Sequence, residues 1–100
     1  MPRFRNMSSL KTLELDSNQF TGGIDEMELT TLTNLHTLRL YDNMLTGTIP
    51  TEIYSLTTLQ NLFLNDNDLT GPLNDDLLRL TNLKRLSLSS NADLSGTIPS

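Results

Sequence analysis

The chain has 100 residues, a length that suits one small domain, and 36% of them are hydrophobic, as in globular chains that do not span membranes. Its formal net charge of −5, with only seven scattered Lys and Arg residues, argues against a nucleic-acid partner. The sequence has no cysteine, which excludes disulfides and thiolate metal sites. It shows no secretory signal segment and no apolar run long enough for a membrane span.

Leucine recurs along the chain with a period of 24 or 25 residues, as in the series Leu10, Leu35, Leu59 and Leu83. The aligned units are LKTLELDSNQFTGGI, LHTLRLYDNMLTGTIP, LQNLFLNDNDLTGPL and LKRLSLSSNADLSGTIP. This period indicates stacked repeats that form a solenoid. We predict one repeat domain over residues 1–100, with repeats at about 7–31, 32–55, 56–79 and 80–100 and a partial repeat at 1–6.

Each unit begins with an alternating pair of leucines, such as Leu38 and Leu40 on either side of Arg39. Alternation of this kind predicts a short strand with one face inward and one face outward. Because every turn of a solenoid runs in the same direction, these strands must pair in parallel. The pattern therefore predicts a parallel sheet that lines one side of the molecule.

One asparagine follows each strand, where the chain leaves the sheet, and a buried amide there can pair backbone groups that the bend leaves unpaired. We assign a structural role to these residues, which are Asn18, Asn43, Asn67 and Asn91.

The outer wall follows the second half of each unit, where Pro50 interrupts helix, which predicts short strand, turn or 3₁₀ segments there. The first unit has one additional residue there, within DEMEL. At the amino end, Phe4 and Met7 occupy the core places of Ile53 and Leu56.

The repeat LxxLxxLxLxxNxLTGxIPxx resembles the plant-specific class of leucine-rich repeats, as in receptor-like kinases, receptor-like proteins and polygalacturonase inhibitors. The second unit carries LTGTIP and the fourth LSGTIP, whereas TGGI and TGPL in the first and third lack the proline. The resemblance implies an α/β-type, right-handed arc of about four repeats with a concave parallel sheet, a second short sheet near the LTGxIP segments, and a convex face of 3₁₀ or irregular structure. It also implies a ligand-binding ectodomain.

The outward positions of the concave sheet are the candidate binding residues. Arg39, Tyr41 and Phe63 lie in adjacent turns and have the composition of a binding hot spot, although aromatic residues also suit strands for conformational reasons. Asp42 and Asp66 share a column that could meet a cation or a basic peptide, although Asp after a strand more often serves turn chemistry. Glu14 completes the predicted ligand-binding set on the first strand.

No pattern of catalytic or metal-binding residues occurs, since His36 is the only histidine and no nucleophile is spaced to meet a base. We therefore expect no enzyme activity, cofactor or metal. The leading hypothesis is a recognition module that binds a protein, peptide or glycan on the concave face, within a secreted or receptor-like protein.

A cytoplasmic leucine-rich-repeat scaffold is the alternative, because the sequence starts with Met1 and shows no signal segment. The compartment follows from that choice: extracellular or membrane-anchored if the chain is part of a longer array, and cytoplasmic if it is complete. Solenoids need polar terminal turns, and none is recognisable here. We thus expect a piece of a longer array that tends to self-associate through its uncapped ends.

Overall fold

The computed structural model describes residues 3–73 and 75–95, and these residues form successive turns of a solenoid. The described strands, in chain order, are β1 (Thr12–Glu14), β2 (Thr21–Gly23), β3 (Thr37–Arg39), β4 (Met44–Gly47), β5 (Asn61–Phe63), β6 (Asp68–Pro72), β7 (Arg85–Ser87) and β8 (Asp93–Ser95). The outer wall contains a short helix α1 (Thr51–Tyr54) and 3₁₀ segments at Ile24–Met27, Leu29–Thr31 and Asp75–Arg79. The end of the predicted fourth repeat, residues 96–100, lies outside the described residues.

The predicted concave sheet is confirmed. It has four parallel strands in the order β1-β3-β5-β7. Equivalent leucines face each other across it, so that Leu38 pairs with Leu13 on one side and with Leu62 on the other. The central residue of β1, β3 and β5 is buried, whereas its neighbours in those strands face outward and are at least partly exposed. This alternation places every other strand residue on the concave surface.

A second parallel sheet, in the order β2-β4-β6-β8, lies beside the first, as the family resemblance implied. Its register differs from that of the concave sheet. Leu45 and Leu69 are equivalent in the repeat, yet Leu69 pairs with Gly47, which lies two residues after Leu45. The same offset recurs where Gly71 pairs with Leu94. The strands of the second sheet are therefore sheared by two residues per turn relative to the repeat, whereas those of the concave sheet are not.

The convex side consists mainly of 3₁₀ segments, as predicted, with one four-residue helix, α1, directly after Pro50. The extra residue of the first unit is accommodated at Glu28, which joins two 3₁₀ segments in a left-handed conformation (φ 56°). The Arg5 guanidinium lies 3.2 Å from the Glu28 carboxylate and ties the amino-terminal segment to this joint. No helix among the described residues is long and apolar enough to cross a membrane.

The core is a stack of leucines between the sheets and the outer wall. The inward leucines of β3 and β5, Leu38 and Leu62, are at most 1% exposed, and Tyr54 of α1 is buried to the same degree. Phe4 packs partly buried against this core. Met7, expected in the core at the equivalent of Leu56, is instead 47% exposed, so that prediction was wrong. The reason is that the described residues hold no earlier turn to pack against it.

The asparagine after each concave strand connects successive turns. Asn67 donates hydrogen bonds to the carbonyls of Leu64, Asn65 and Leu40, at 3.0 to 3.2 Å, and its Oδ1 accepts one from the Leu45 amide at 3.1 Å. Asn43 and Asn91 are buried in equivalent positions and make equivalent bonds. Asn18 is exposed and bonds only to carbonyls of its own turn, since no described strand precedes β1. The expectation of a buried amide therefore does not hold for Asn18.

Candidate functional site

The candidate site lies on the concave surface at the centre of the sheet. Arg39 of β3 pairs in register with Phe63 of β5, and Tyr41 follows β3 on the same outward face. The rings of Tyr41 and Phe63 meet edge to face, with centroids 6.4 Å apart and planes at 86°. Such a geometry is the favourable one for aromatic pairs. The structure therefore brings together the three residues that the sequence singled out.

Arg39 holds the Tyr41 ring in place. Its Nη2 donates a hydrogen bond of 2.7 Å to the phenolic oxygen, and its guanidinium carbon lies 5.3 Å from the ring centroid. The hydrogen bond to Tyr41 is the largest cause that raises the pKa of Arg39 above its ordinary value; desolvation opposes it, and the nearby Asp16 and Glu14 carboxylates add to the increase. Arg39 is thus permanently charged and orients the aromatic ring next to it.

The charge of Arg39 is matched by two carboxylates of the preceding turn. Its Nη1 lies 3.3 Å from Glu14 Oε2, and its Nε lies 3.4 Å from Asp16 Oδ1. The first contact is also a hydrogen bond. Glu14, predicted as a ligand contact, therefore contacts Arg39, and Asp16 was missed as its second partner. The signal for Asp16 was available, because Asp16 and Tyr41 occupy equivalent positions in adjacent turns.

A shallow cavity of about 430 Å³ opens over the aromatic pair. We call it the aromatic cavity, and its lining residues are Arg39, Tyr41, Phe63, Asn65 and Ser87. Asn65 and Ser87 are outward positions of the sheet that were not in the predicted ligand-binding set. Their alignment with Tyr41 and Phe63 one turn before them would have indicated the contact, since neighbouring strands are about 5 Å apart. The cavity has an aromatic floor and polar walls.

Asp42 and Asp66 lie at the exit edge of the concave sheet, which is the edge where its strands end. Both are exposed and both have a left-handed backbone with φ 58°. Ser17 and Ser90 have the same conformation at the equivalent positions, so this is a turn position of the repeat, and Asp tolerates that conformation better than most residues do. Asn65 Nδ2 donates a 2.7 Å hydrogen bond to Asp66 Oδ2. Each Asp can therefore adopt the backbone conformation that the turn requires and still expose its carboxylate.

No group of three or more His, Cys, Asp or Glu side chains able to hold a metal ion occurs in residues 3–73 and 75–95. The lone histidine, His36, is half-buried at the start of β3, where its backbone carbonyl accepts bonds from the Gln60 and Asn61 amides. Its position is that of a strand-edge residue in the ladder of backbone bonds.

Comparison with known proteins supports the repeat assignment. Leucine Rich Repeat family models match residues 9–28 and 34–56. A search of curated proteins found no match. Among solved structures, a chain of the BIR3–SERK2 complex from Arabidopsis thaliana is 47% identical, with a TM-score of 0.83 over 92% of this chain and 48% of that one.

Two further solved structures are ectodomains bound to ligands. The leucine-rich-repeat ectodomain of the Arabidopsis thaliana membrane receptor kinase GASSHO1/SCHENGEN3, in complex with CASPARIAN STRIP INTEGRITY FACTOR 2, is 41% identical, with a TM-score of 0.84 over 92% of this chain and 11% of that one. The Arabidopsis receptor kinase HAESA, in complex with an N-terminally extended IDA peptide hormone, is also 41% identical, with a TM-score of 0.81 over 90% and 15% of the two chains.

This chain therefore spans less than half the length of each of these three structures. Their partners are proteins and peptides, so they support neither the predicted glycan ligand nor the predicted self-association. The period, the two parallel sheets, the asparagine bonds and these similarities agree with one another. The chain is a stretch of leucine-rich repeats of the plant-specific type.

Proposed function

We propose that the chain is a non-catalytic recognition module that binds a peptide or a segment of another protein on its concave face, as part of a receptor-like or secreted protein. The observation that carries the proposal is the aromatic cavity, in which Tyr41 and Phe63 form an apolar floor on an otherwise polar sheet. Tyr41 and Phe63 are the anchors, and Asp42 and Asp66 form the rim.

The site is organised for binding before any ligand arrives. Tyr41 is held by Arg39 at 2.7 Å and by the edge of Phe63, so little conformational freedom remains to be lost on binding. Aromatic side chains in rigid concave positions are typical anchors of protein interfaces, because they bury a large area with few rotatable bonds. In this proposal Arg39 and Glu14 position the anchors, and Arg39 also lines the cavity.

The test is a selection of peptides from a random displayed library on the purified chain. Selected peptides are then measured against a variant with Tyr41→Ala and Phe63→Ala. The matched control carries Met44→Ala and Leu78→Ala, which removes large side chains that are 46% and 51% exposed on other faces. Circular dichroism and thermal melting of all three proteins establish that each is folded.

We expect the aromatic variant to lose at least about tenfold in affinity, equivalent to roughly 1.4 kcal/mol, and the control to bind as the unaltered chain does. Peptides that bind both variants equally well, or a selection that yields no binder, would refute the proposal.

A further inference from the structure

We infer that the concave site selects a basic peptide, in which an apolar side chain enters the aromatic cavity and a neighbouring Lys or Arg faces Asp42 and Asp66. This inference rests on the proposed function and specifies the class of ligand. It follows from how the structure distributes charge around the cavity.

Among the described residues, Arg39 is the only basic one that lines the cavity. Two carboxylates already neutralise it, at 3.3 Å from Glu14 and 3.4 Å from Asp16, and one of its amino groups is bonded to the Tyr41 hydroxyl. An acidic group on a ligand would have to compete with both carboxylates and would be repelled by them. Arg39 is therefore a poor receptor for a ligand carboxylate, despite its position.

Asp42 and Asp66 place two exposed carboxylates at the exit edge of the sheet. Within residues 3–73 and 75–95, no basic side chain lies within 4.0 Å of the carboxylates of Asp42 or Asp66. Each residue is anchored by its backbone, because the Asp42 amide donates to the Asn65 carbonyl at 3.1 Å and the Asp66 amide to the Ser89 carbonyl at 3.0 Å. Both carboxylates directly follow cavity residues, Tyr41 and Asn65. The Asp66 carboxylate accepts a 2.7 Å hydrogen bond from Asn65 Nδ2, but neither carboxylate has a basic partner among the described residues. Negative charge that no cation of these residues balances thus borders the cavity on this side.

The opposite edge of the sheet is the entry edge, where its strands begin. Arg85 lies there, at the start of β7, and its Nη1 donates a 3.1 Å hydrogen bond to Asn61 Oδ1. Lys11 and Lys84 precede β1 and β7 on the same edge. The entry edge of the sheet therefore carries basic residues and the exit edge carries acidic ones. Electrostatic complementarity then places a cationic ligand group at the exit edge, beside the cavity.

The experiment uses the peptides selected on the unaltered chain. Their binding is measured to a variant with Asp42→Asn and Asp66→Asn, and to a control with Asp25→Asn and Asp75→Asn. The control makes the same change in net charge at exposed positions on the convex side. We expect selected peptides to carry an apolar residue next to Lys or Arg. The affinity of these peptides should fall by about five- to tenfold in the Asp42/Asp66 variant and stay unchanged in the control. At high salt the loss in the Asp42/Asp66 variant should be smaller, because salt screens exposed charges.

The outcomes separate this inference from the proposed function. Peptides that need Tyr41 and Phe63 but are acidic or neutral, or that tolerate Asp42→Asn and Asp66→Asn, would overturn the inference and leave the proposed function intact. Equal losses in the Asp42/Asp66 variant and the Asp25/Asp75 control would also overturn it, because they would reflect net charge alone. Peptides that do not need Tyr41 and Phe63 would refute the proposed function, and the inference with it.

Discussion

A single asparagine in each inner turn forms hydrogen bonds with backbone groups that the bend after the strand would otherwise leave unpaired. Asn67 serves three carbonyls and one amide from two successive turns, in a position that is only 6% exposed. Buried backbone groups without partners destabilise a fold, so an amide side chain with two donors and an acceptor suits this position better than an apolar residue of the same size. The equivalent Asn18 makes only own-turn bonds and is exposed.

Replacing Asn67 with alanine should therefore cost more than replacing Asn18. For Asn67→Ala we expect a loss of roughly 2–3 kcal/mol in the free energy of unfolding, since buried carbonyls and the Leu45 amide lose their partner. Asn18→Ala should cost less than about 1 kcal/mol, because water can reach its partners. Urea titrations of both variants measure the difference. Equal losses would mean that the bonds between turns are not what stabilises this position.

Tyr54 makes stability depend on pH in the alkaline range. Burial, followed by the negative charge of Asp76, raises the pKa of the Tyr54 phenol above its ordinary value of about 10. An acid with a raised pKa in the folded state holds its proton more tightly there than in the unfolded chain. The contribution of the Tyr54 phenol to stability is complete below the unfolded pKa and is lost as the pH rises through the folded pKa.

The Tyr54→Phe variant has no phenol to ionise, so it should lose less stability than the unaltered chain between about pH 9 and about pH 11. Unfolding titrations across this range test it, and parallel curves would contradict it.

At the scale of the element, the strands β2, β4 and β6 of the second sheet each contain a glycine with positive φ. Gly47 and Gly71 have φ of 78° and 89°, a conformation that side chains rarely adopt. Their surroundings differ, because a Cβ at Gly47 would meet no atom within 4 Å, whereas one at Gly71 would lie 2.8 Å from the Thr48 methyl of the preceding turn. The residue of the preceding turn makes the difference, because Gly23, which has no side chain, occupies the place before Gly47 that Thr48 occupies before Gly71.

Gly47→Ala should cost only the backbone strain, about 1–2 kcal/mol, and Gly71→Ala should cost more because it adds a clash with Thr48. Combining Gly71→Ala with Thr48→Ser removes the methyl group and should bring the loss back toward that of Gly47→Ala. Thermal melts of the three variants, with Thr48→Ser alone as the control, give the comparison. If Thr48→Ser left the loss at Gly71 unchanged, the clash would not be its cause.

At the scale of the whole molecule, the solenoid is stabilised by contacts between neighbouring turns, so an inward leucine matters according to how well both neighbours cover it. Leu62 lies between Leu38 and Leu86 and is 1% exposed, whereas Leu86 of β7 is only partly buried. Leu62→Ala should cost roughly 2–5 kcal/mol, in the range of buried leucines elsewhere, and Leu86→Ala clearly less. Denaturant unfolding measures both, and a larger loss at Leu86 would contradict a core centred on the middle turns.

Much of this structure could be predicted from the period of the sequence. A repeat of 24 or 25 residues with alternating leucines specifies a parallel concave sheet, since each turn must present the same residues to its neighbours. The outward positions of Tyr41 and Phe63 follow from the same alternation. The exposed Met7 did not follow, because a repeat pattern shows which residues are equivalent but not which of them have a neighbouring turn to pack against.

The sequence by itself determined the repeat, the strands, the inward leucines and the set of outward residues, because these depend only on periodicity along the chain. Only the tertiary structure decided how the outward residues combine. Arg39 forms ion pairs with Glu14 and Asp16 in the turn before it, and these carboxylates balance its charge. Its hydrogen bond to Tyr41 then orients the aromatic ring. Contacts between side chains some 25 residues apart depend on the lateral register and on rotamers, and no period in the sequence encodes these.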